Sequence, residues 1–224
     1  PEEIDVFWCT PCESLHYYIE TVNELKEKYS GKLDVRLGLE VDYIPHVMGP
    51  AHPIYRILNL DYIIGSVHVA GQRKDGTMWT VDCGPEKFKE GLESIYCGSV
   101  EKAGKEYYRR VREMVAEQPP DIIGHFDIFK KNNKALGFLD EDAKWYRDAV
   151  YETLDVVAAS GCVLEVNTGG MARGFMDEPY PSLFILERCR ELDIPVMINS
   201  DCHKPKMITA YFDEARELLI KAGY

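Results

Sequence analysis

Glu40, His68, His125, Asp201 and His203 lie far apart in the chain, yet each sits in or just after a short apolar run. Glu40 belongs to Gly38-Leu39-Glu40-Val41-Asp42, His68 ends Gly65-Ser66-Val67-His68, and His125 opens His125-Phe126-Asp127 after Gly124. Glu165 lies in Val163-Leu164-Glu165-Val166-Asn167, and Asp201 and His203 follow Ile198-Asn199-Ser200. A mixture of carboxylate and imidazole is the donor set of zinc, manganese or iron, whereas calcium takes oxygen alone. One such histidine would need only a hydrogen-bond partner to explain it. Several metal-capable residues at the ends of separate runs ask for a common cause. Asp201 and His203 alternate along the chain, so both reach metal only where the backbone bends.

Elements that could bring these residues together are visible in the hydrophobic pattern. Strand-like runs are expected at Leu33–Tyr43, Tyr62–Ala70, Asp121–Phe129, Cys162–Thr168 and Pro195–Ser200. Amphipathic helical stretches lie at Glu13–Tyr29, Pro85–Tyr96, Val100–Glu117, Asp140–Ser160, Ser182–Leu192 and Asp213–Ala222. Asp140 is expected to cap the helix after it, and Gly161 to close that helix in the left-handed conformation. Ser182 follows Pro181 at the start of a helix whose Glu187 and Arg190 suit a surface face. The alternation of strand and helix predicts a parallel sheet covered by helices, either open or closed into a barrel. In a parallel barrel the C-terminal strand ends converge on one face, which would gather the candidate ligands. No repeat, low-complexity tract or linker divides residues 1–224, which read as one domain.

Glu40, Ser66-Val67-His68, Gly124-His125-Phe126-Asp127 and Asp201-Cys202-His203 resemble, in order, the later metal-binding motifs of the PHP superfamily. The segment from Glu165-Val166-Asn167-Thr168-Gly169-Gly170-Met171-Ala172-Arg173-Gly174 to Pro179-Tyr180-Pro181-Ser182 is similar to that of PHP-type histidinol-phosphatases. So are Leu37 to Pro45 and the helix start Phe212-Asp213-Glu214-Ala215. The resemblance implies a distorted (β/α)7 TIM-like barrel with up to three divalent metals (Zn, Mn or Fe). It implies that Glu40 bridges two metals, His68 and His125 complete the second, Asp201 joins the first and His203 the third. Arg173 would hold the substrate phosphate, and Asp201, His203 and Arg173 would be the catalytic set. The implied reaction is hydrolysis of L-histidinol phosphate, with the metals generating hydroxide at neutral pH. The family's opening His-x-His and Asp-His motifs do not appear, and their place would fall before Pro1. Such barrels run to about 250 residues, so the expectation is a chain short of its N-terminal βα portion.

Phe7-Trp8-Cys9-Thr10-Pro11-Cys12 supports a different class, because Trp-Cys-x-Pro-Cys is the redox signature of thioredoxins. A helix start there would favour the Cys9 thiolate. Against it, the run Asp61–Ala70 lacks the proline that such a site needs, and the motif explains little of the chain. The bland reading is a helix start with Pro11 in its first turn. Other readings are a PHP phosphoesterase of different substrate preference, a polymerase-associated PHP nuclease, and a binding protein whose metal site has decayed.

A net charge of −12 argues against nucleic acid and is compatible with a small cationic phosphorylated amino-alcohol as partner. Lys130-Lys131 and Arg109-Arg110 read as solvated positions. With 46% hydrophobic residues the composition is that of a soluble globular protein, and no apolar run or secretion signal suggests a membrane. Seven scattered cysteines are no disulfide framework, and the expected location is cytoplasmic. His16, His46 and His52 read as surface or loop residues, with the latter two near the pocket mouth. Asp42 and Glu178 could face a cationic substrate but read as solvated. Glu165 could orient a histidine from behind, and Tyr107-Tyr108 read as core.

Overall fold

The computed structural model describes residues 10–224, the Cys12 side chain excepted. Cys9 and that side chain, which carried the redox reading, therefore lie outside the described residues. Runs rich in Val, Ile and Leu form β1 (Gly38–Asp42), β2 (Tyr62–Ser66), β3 (Val69–Gln72), β4 (Met78–Thr80), β5 (Ile122–Ile123), β6 (Val163–Asn167) and β7 (Val196–Asn199). The helices are α1 (Leu15–Lys28), α2 (Pro53–Ile57), α3 (Pro85–Tyr96), α4 (Val100–Glu117), α5 (Asn133–Leu136), α6 (Lys144–Ser160), α7 (Gly169–Ala172), α8 (Leu183–Glu191) and α9 (Phe212–Ala222).

Strands β1, β2, β5, β6 and β7 form one parallel sheet, in that spatial order. The order follows the chain and never reverses, as it would at the switch point of a doubly wound sheet. Successive βα units therefore wind one way, as in a TIM-like barrel. Among the described strands β1 and β7 are unpaired edges, so the sheet is an open arc of that barrel.

The run expected at Tyr62–Ala70 is two strands, parted at Val67-His68. Beyond the break, β3 turns away and pairs with β4 in an antiparallel hairpin. Its turn closes through Arg73 N–H to the Thr77 carbonyl (2.8 Å), with Gly76 at φ +88°, where a side chain would be strained. Asp75 Oδ1 accepts from Thr77 N–H at 2.9 Å, so the Asp-Gly pair fixes the hairpin.

Helix patterns translate directly into packing. Tyr107, Tyr108, Val111, Met114 and Val115 recur at helical spacing on α4 and are buried there. They meet Tyr146, Ala149, Val150 and Leu154 of α6, and burying each large side chain contributes roughly 1.5–3 kcal/mol. Tyr107 and Tyr108 are core, and each hydroxyl is satisfied: Tyr107 Oη donates to the Phe126 carbonyl (3.0 Å) and Tyr108 Oη to Tyr146 Oη (3.1 Å). A second cluster of Val166, Leu186, Ala215 and Ala222 lies under β6, α8 and α9.

Asp140 does not cap α6. Its carboxylate accepts from Asp142 N–H (3.0 Å) in the preceding turn, and the helix starts at Lys144 behind Ala143. Gly161 does close that helix, at φ +77°. No described helix is long and apolar enough to cross a membrane.

Candidate active site

Glu40 and Asp42 are separated by one residue on β1, so both side chains face the same way, toward His68. His68 and His125 each lie two residues past a strand, β2 and β5, whose pairing in register with the next aligns their ends. The result is a cluster of three donors. His125 Nε2 lies 3.0 Å from Glu40 Oε1 and 3.1 Å from His68 Nε2, which is itself 3.8 Å from Glu40 Oε1. One ligand atom from each of the three lies within 4.8 Å of the others. Two imidazole nitrogens and a carboxylate oxygen converging on one point are the donor set that a borderline divalent cation takes.

One of the three donors has its ring held from behind by a carboxylate. His68 Nδ1 is 2.5 Å from Asp42 Oδ1, which fixes the ring and leaves Nε2 to face the cluster. Burial lowers the pKa of His68, but Asp42, Asp82 and Glu40 outweigh it and raise the imidazole to about 10. Burial opposes ionisation of Glu40, yet His125 and His68 more than offset it and hold its carboxyl well below the usual range. His125 itself, lowered by burial, is raised on balance by the Glu40 charge. Gly124 precedes it because a Cβ there would collide with Ser66 Oγ.

Glu165 is buried on β6 and acts on His125 through the backbone, accepting its N–H at Oε2 (2.6 Å). The histidine-orienting role expected of Glu165 is thus exerted on the chain and not on the ring. The same carboxylate accepts from Asn167 Nδ2 (2.9 Å) and, at Oε1, from Asn199 Nδ2 (2.9 Å).

Arg173, Asp201 and His203 form a separate group beyond β6 and β7. Arg173 Nη2 donates to Asp201 Oδ2 (2.8 Å), and Nη1 to the Asp201 carbonyl (2.9 Å). His203 Nδ1 lies 3.2 Å from Arg173 Nη1, while its side chain is 74% exposed. Asp201 adopts φ +43°, so the backbone bends there, and Arg173 touches both it and His203. Gly169 permits the close approach, since a Cβ there would lie 2.9 Å from Asp201 Oδ2. Asn167 Nδ2 also approaches Asp201 Oδ2 (3.3 Å), so one amide touches both Glu165 and Asp201 and links the two groups.

The PHP domain family model matches residues 9–169 of this chain. The chain belongs to the PHP domain family. Within that family, a probable histidinol-phosphatase of Deinococcus radiodurans is 33% identical over 215 residues, covering 96% of this chain and 75% of the relative. The histidinol-phosphatase of Bacillus subtilis is 28% identical over 197 residues, 85% of this chain and 71% of the relative. A solved hisK structure from Listeria monocytogenes superposes with a TM-score of 0.77 at 23% identity, over 92% of this chain and 77% of that one. The histidinol phosphate phosphatase of Lactococcus lactis, solved with zinc, L-histidinol and phosphate, gives 0.62 at 19% identity, over 94% and 74%. At those identities the two structures establish a shared fold.

Several residues of this PHP domain depart from their sequence reading. Asp42, read as solvated, is the carboxylate behind His68. Its alternation with Glu40 was the available signal. Lys130 is fully buried, not solvated. Its ammonium donates to Glu178 Oε1 (2.8 Å) and Ser182 Oγ, and lies 3.1 Å from Asp127 Oδ2. Burial lowers its pKa, but Asp127, Glu141 and Glu178 together raise it, so the group stays charged. Glu178 is accordingly an ion-pair partner, and Ser182 spends its hydroxyl here, leaving α8 without a side-chain cap. Arg110 is largely covered, donating to Glu106 Oε1 (2.8 Å) and the Val69 carbonyl (3.0 Å), while Arg109 pairs with Glu106 and Glu113 at the surface. His16 and His46 are exposed, and His52 Nδ1 accepts from Ile54 N–H at the start of α2 (3.4 Å).

Proposed function

We propose that this PHP domain is a metal-dependent phosphomonoesterase that hydrolyses L-histidinol phosphate to L-histidinol and phosphate. The observation that carries the chemistry is the convergence of Glu40, His68 and His125, facing an Arg173–Asp201 pair across Asn167. The substrate follows the relatives, which are named as histidinol-phosphatases and match across most of the chain. The Lactococcus structure holds zinc, L-histidinol and phosphate together.

The triad fits a divalent cation by donor chemistry: two imidazole nitrogens, one carboxylate oxygen, and a second carboxylate fixing one ring. We assign Glu40, His68, His125, Asp201 and His203 as the residues that hold zinc, manganese or iron. A cation held there supplies Lewis acidity, activating water for attack and neutralising charge on phosphoryl oxygens. The remaining work belongs to the chain's own residues. Arg173 spends three contacts on Asp201 and His203, and a guanidinium has five N–H donors, so it can also bind two phosphoryl oxygens. Its charge is positioned before the reaction begins, and such fixed charges stabilise what develops in phosphoryl transfer. The leaving alkoxide needs a proton or a metal, and Asp201 or His203, flanking Arg173, stands near enough to it to contribute.

The decisive test is phosphate release from L-histidinol phosphate by metal-replete protein, beside a chelated sample. Chelator-sensitive turnover much faster than on an aryl phosphate supports both metal chemistry and substrate. Turnover on the aryl ester alone keeps the phosphoesterase and discards histidinol phosphate. Absence of turnover on either, despite bound metal, removes the proposal.

A further inference from the structure

The segment that follows β6, with α7 and Arg173 in it, doubles back before α8 begins. Tyr180 pairs with Asn167 at the end of β6, through Asn167 N–H to the Tyr180 carbonyl (2.7 Å) and Tyr180 N–H to the Asn167 carbonyl (3.0 Å). The Tyr180 ring closes on Gly170, where a Cβ would lie 2.7 Å from it. Arg173 thus sits in a closed loop whose ends meet at Asn167. Lysines from the segment after His125 hold the far side of that loop. Lys131, half-buried, places its ammonium 4.7 Å from the centre of the Phe175 ring, and Lys134 pairs with Asp177 at the surface (2.5 Å). Lys130 differs from both. It is fully buried and reaches Glu178 Oε1 (2.8 Å), Ser182 Oγ and Asp127 Oδ2 (3.1 Å), with Glu141 Oε2 at 3.9 Å. Asp127 Oδ2 in turn accepts from Ser182 N–H (3.0 Å).

We propose that Lys130 is a positioning residue for the reaction, aligning Arg173 by fixing the far end of the loop that carries it. This rests on the phosphatase reading and deepens it. Sealed from solvent, the Lys130 side chain cannot touch substrate, so its effect must pass through Glu178 and Ser182. Those residues flank Tyr180, the residue paired with Asn167. From Asn167 the path is short. Its side-chain amide lies 3.3 Å from Asp201 Oδ2, the oxygen to which Arg173 Nη2 donates at 2.8 Å. An exposed pair such as Lys134–Asp177 is screened by water and fixes little, whereas a buried ammonium parts from its carboxylates only at a large desolvation cost. Asp127 and Lys130 also follow His125 directly, so the same ion group ties the Arg173 loop to the segment that carries one of the three converging donors.

Inorganic phosphate and L-histidinol phosphate are the probes, on metal-replete protein. Glu178→Ala removes the loop's carboxylate from Lys130 at a side chain that is 44% exposed, so the variant should fold. Its Kd for phosphate, measured by calorimetry, and its KM for L-histidinol phosphate should both rise about fivefold with metal content unchanged. Glu178→Gln, which keeps an acceptor oxygen for Lys130, should recover most of the loss. Phosphate carries no ammonium, so its weaker binding cannot reflect a lost contact between Glu178 and the amine of the substrate. A raised KM with unchanged phosphate Kd would reveal such a contact and overturn the proposal. Lys130→Met should give the same pattern with a larger rise, about tenfold. The deciding comparison is made in Arg173→Ala, where adding Glu178→Ala or Lys130→Met should change the phosphate Kd hardly at all. Factors that multiply independently with Arg173→Ala would overturn the proposal. So would a lower Tm with phosphate Kd at the wild-type value, the result expected of a lysine that serves only the fold. If Lys130→Met does not fold, Glu178→Ala carries both comparisons. The expected phosphate pattern in protein that does not hydrolyse L-histidinol phosphate would keep the positioning role and remove the substrate.

Discussion

Glu40, His68 and His125 reach their positions from β1 and from residues just beyond β2 and β5, whereas Arg173 and His203 lie farther into the loops beyond β6 and β7, with Asp201 just past β7 held between them. The first group is set by strand register: its side chains meet at 3.0–3.8 Å, and Asp42 fixes one ring from behind. The second group is held by a guanidinium that reaches one carboxylate, one carbonyl and one imidazole, and its histidine is mostly exposed. Rigid placement suits atoms that must share one cation at fixed distances. Looser placement suits atoms that must receive and release a charged ester. The division of labour therefore follows the division between strand ends and loops, as in other barrels whose βα loops carry the variable chemistry.

Breaking the strand-set half should have the largest effect. Glu40→Gln removes the charge shared by both histidines, so metal content and turnover should fall together, by about a hundredfold or more in turnover. Metal analysis and kinetics on one sample check this, and unchanged stoichiometry would take Glu40 out of the site. Asp42→Asn keeps the shape but weakens the hold on His68. Metal affinity should drop about 10–100-fold, and excess metal should restore most of the rate. Titration with a competing chelator gives that number. Loss of rate that metal does not rescue would mean Asp42 does more than orient the ring.

Disturbing the loop half should give smaller and different losses. Arg173→Ala should raise KM for the phosphate ester about tenfold, with metal binding much less affected. Equal losses of metal and substrate binding would erase the distinction between the halves. The smallest effect should come from Asn167→Ala, which removes the amide between Glu165 and Asp201. Its cost should shrink when Asp201 is already alanine, with a coupling of about 0.5–3 kcal/mol in a double-mutant cycle. Strict additivity would show that the halves are independent.

Much of this was legible in the sequence because periodicity and metal chemistry are local signals. The α3 and α4 boundaries follow from Gly84-Pro85 and Ser99, which mark helix starts, and from the apolar spacing after them. Glu40, His68 and His125 stood out because each interrupts or ends an apolar run. Asp201 stood out in the same way, but its partnership with Arg173 was visible only through motif resemblance, since nothing in loop composition says which loops meet. Lys130 was misread because its solvation depends on carboxylates at 127, 141 and 178, which only the tertiary fold assembles. The β3–β4 hairpin was missed although Asp75-Gly76 between two short apolar stretches is a recognised hairpin signal. Asp140 illustrates the competition between turn and cap: the same carboxylate can satisfy either, and the nearer N–H group won.

Glu165 gathers the His125 amide proton, the Asn167 amide and the Asn199 amide, one from just past β5 and one from the end of each of β6 and β7. A group so placed works as a rivet, and the His125 N–H is its readable head. That proton can trade with solvent only when the segment after β5 parts from Glu165 on β6, a contact the two asparagines hold in place. Its deuterium uptake would therefore serve as a clock for concerted opening of the arc, ticking at a rate set by a sub-global event and not by the fraying of a single loop.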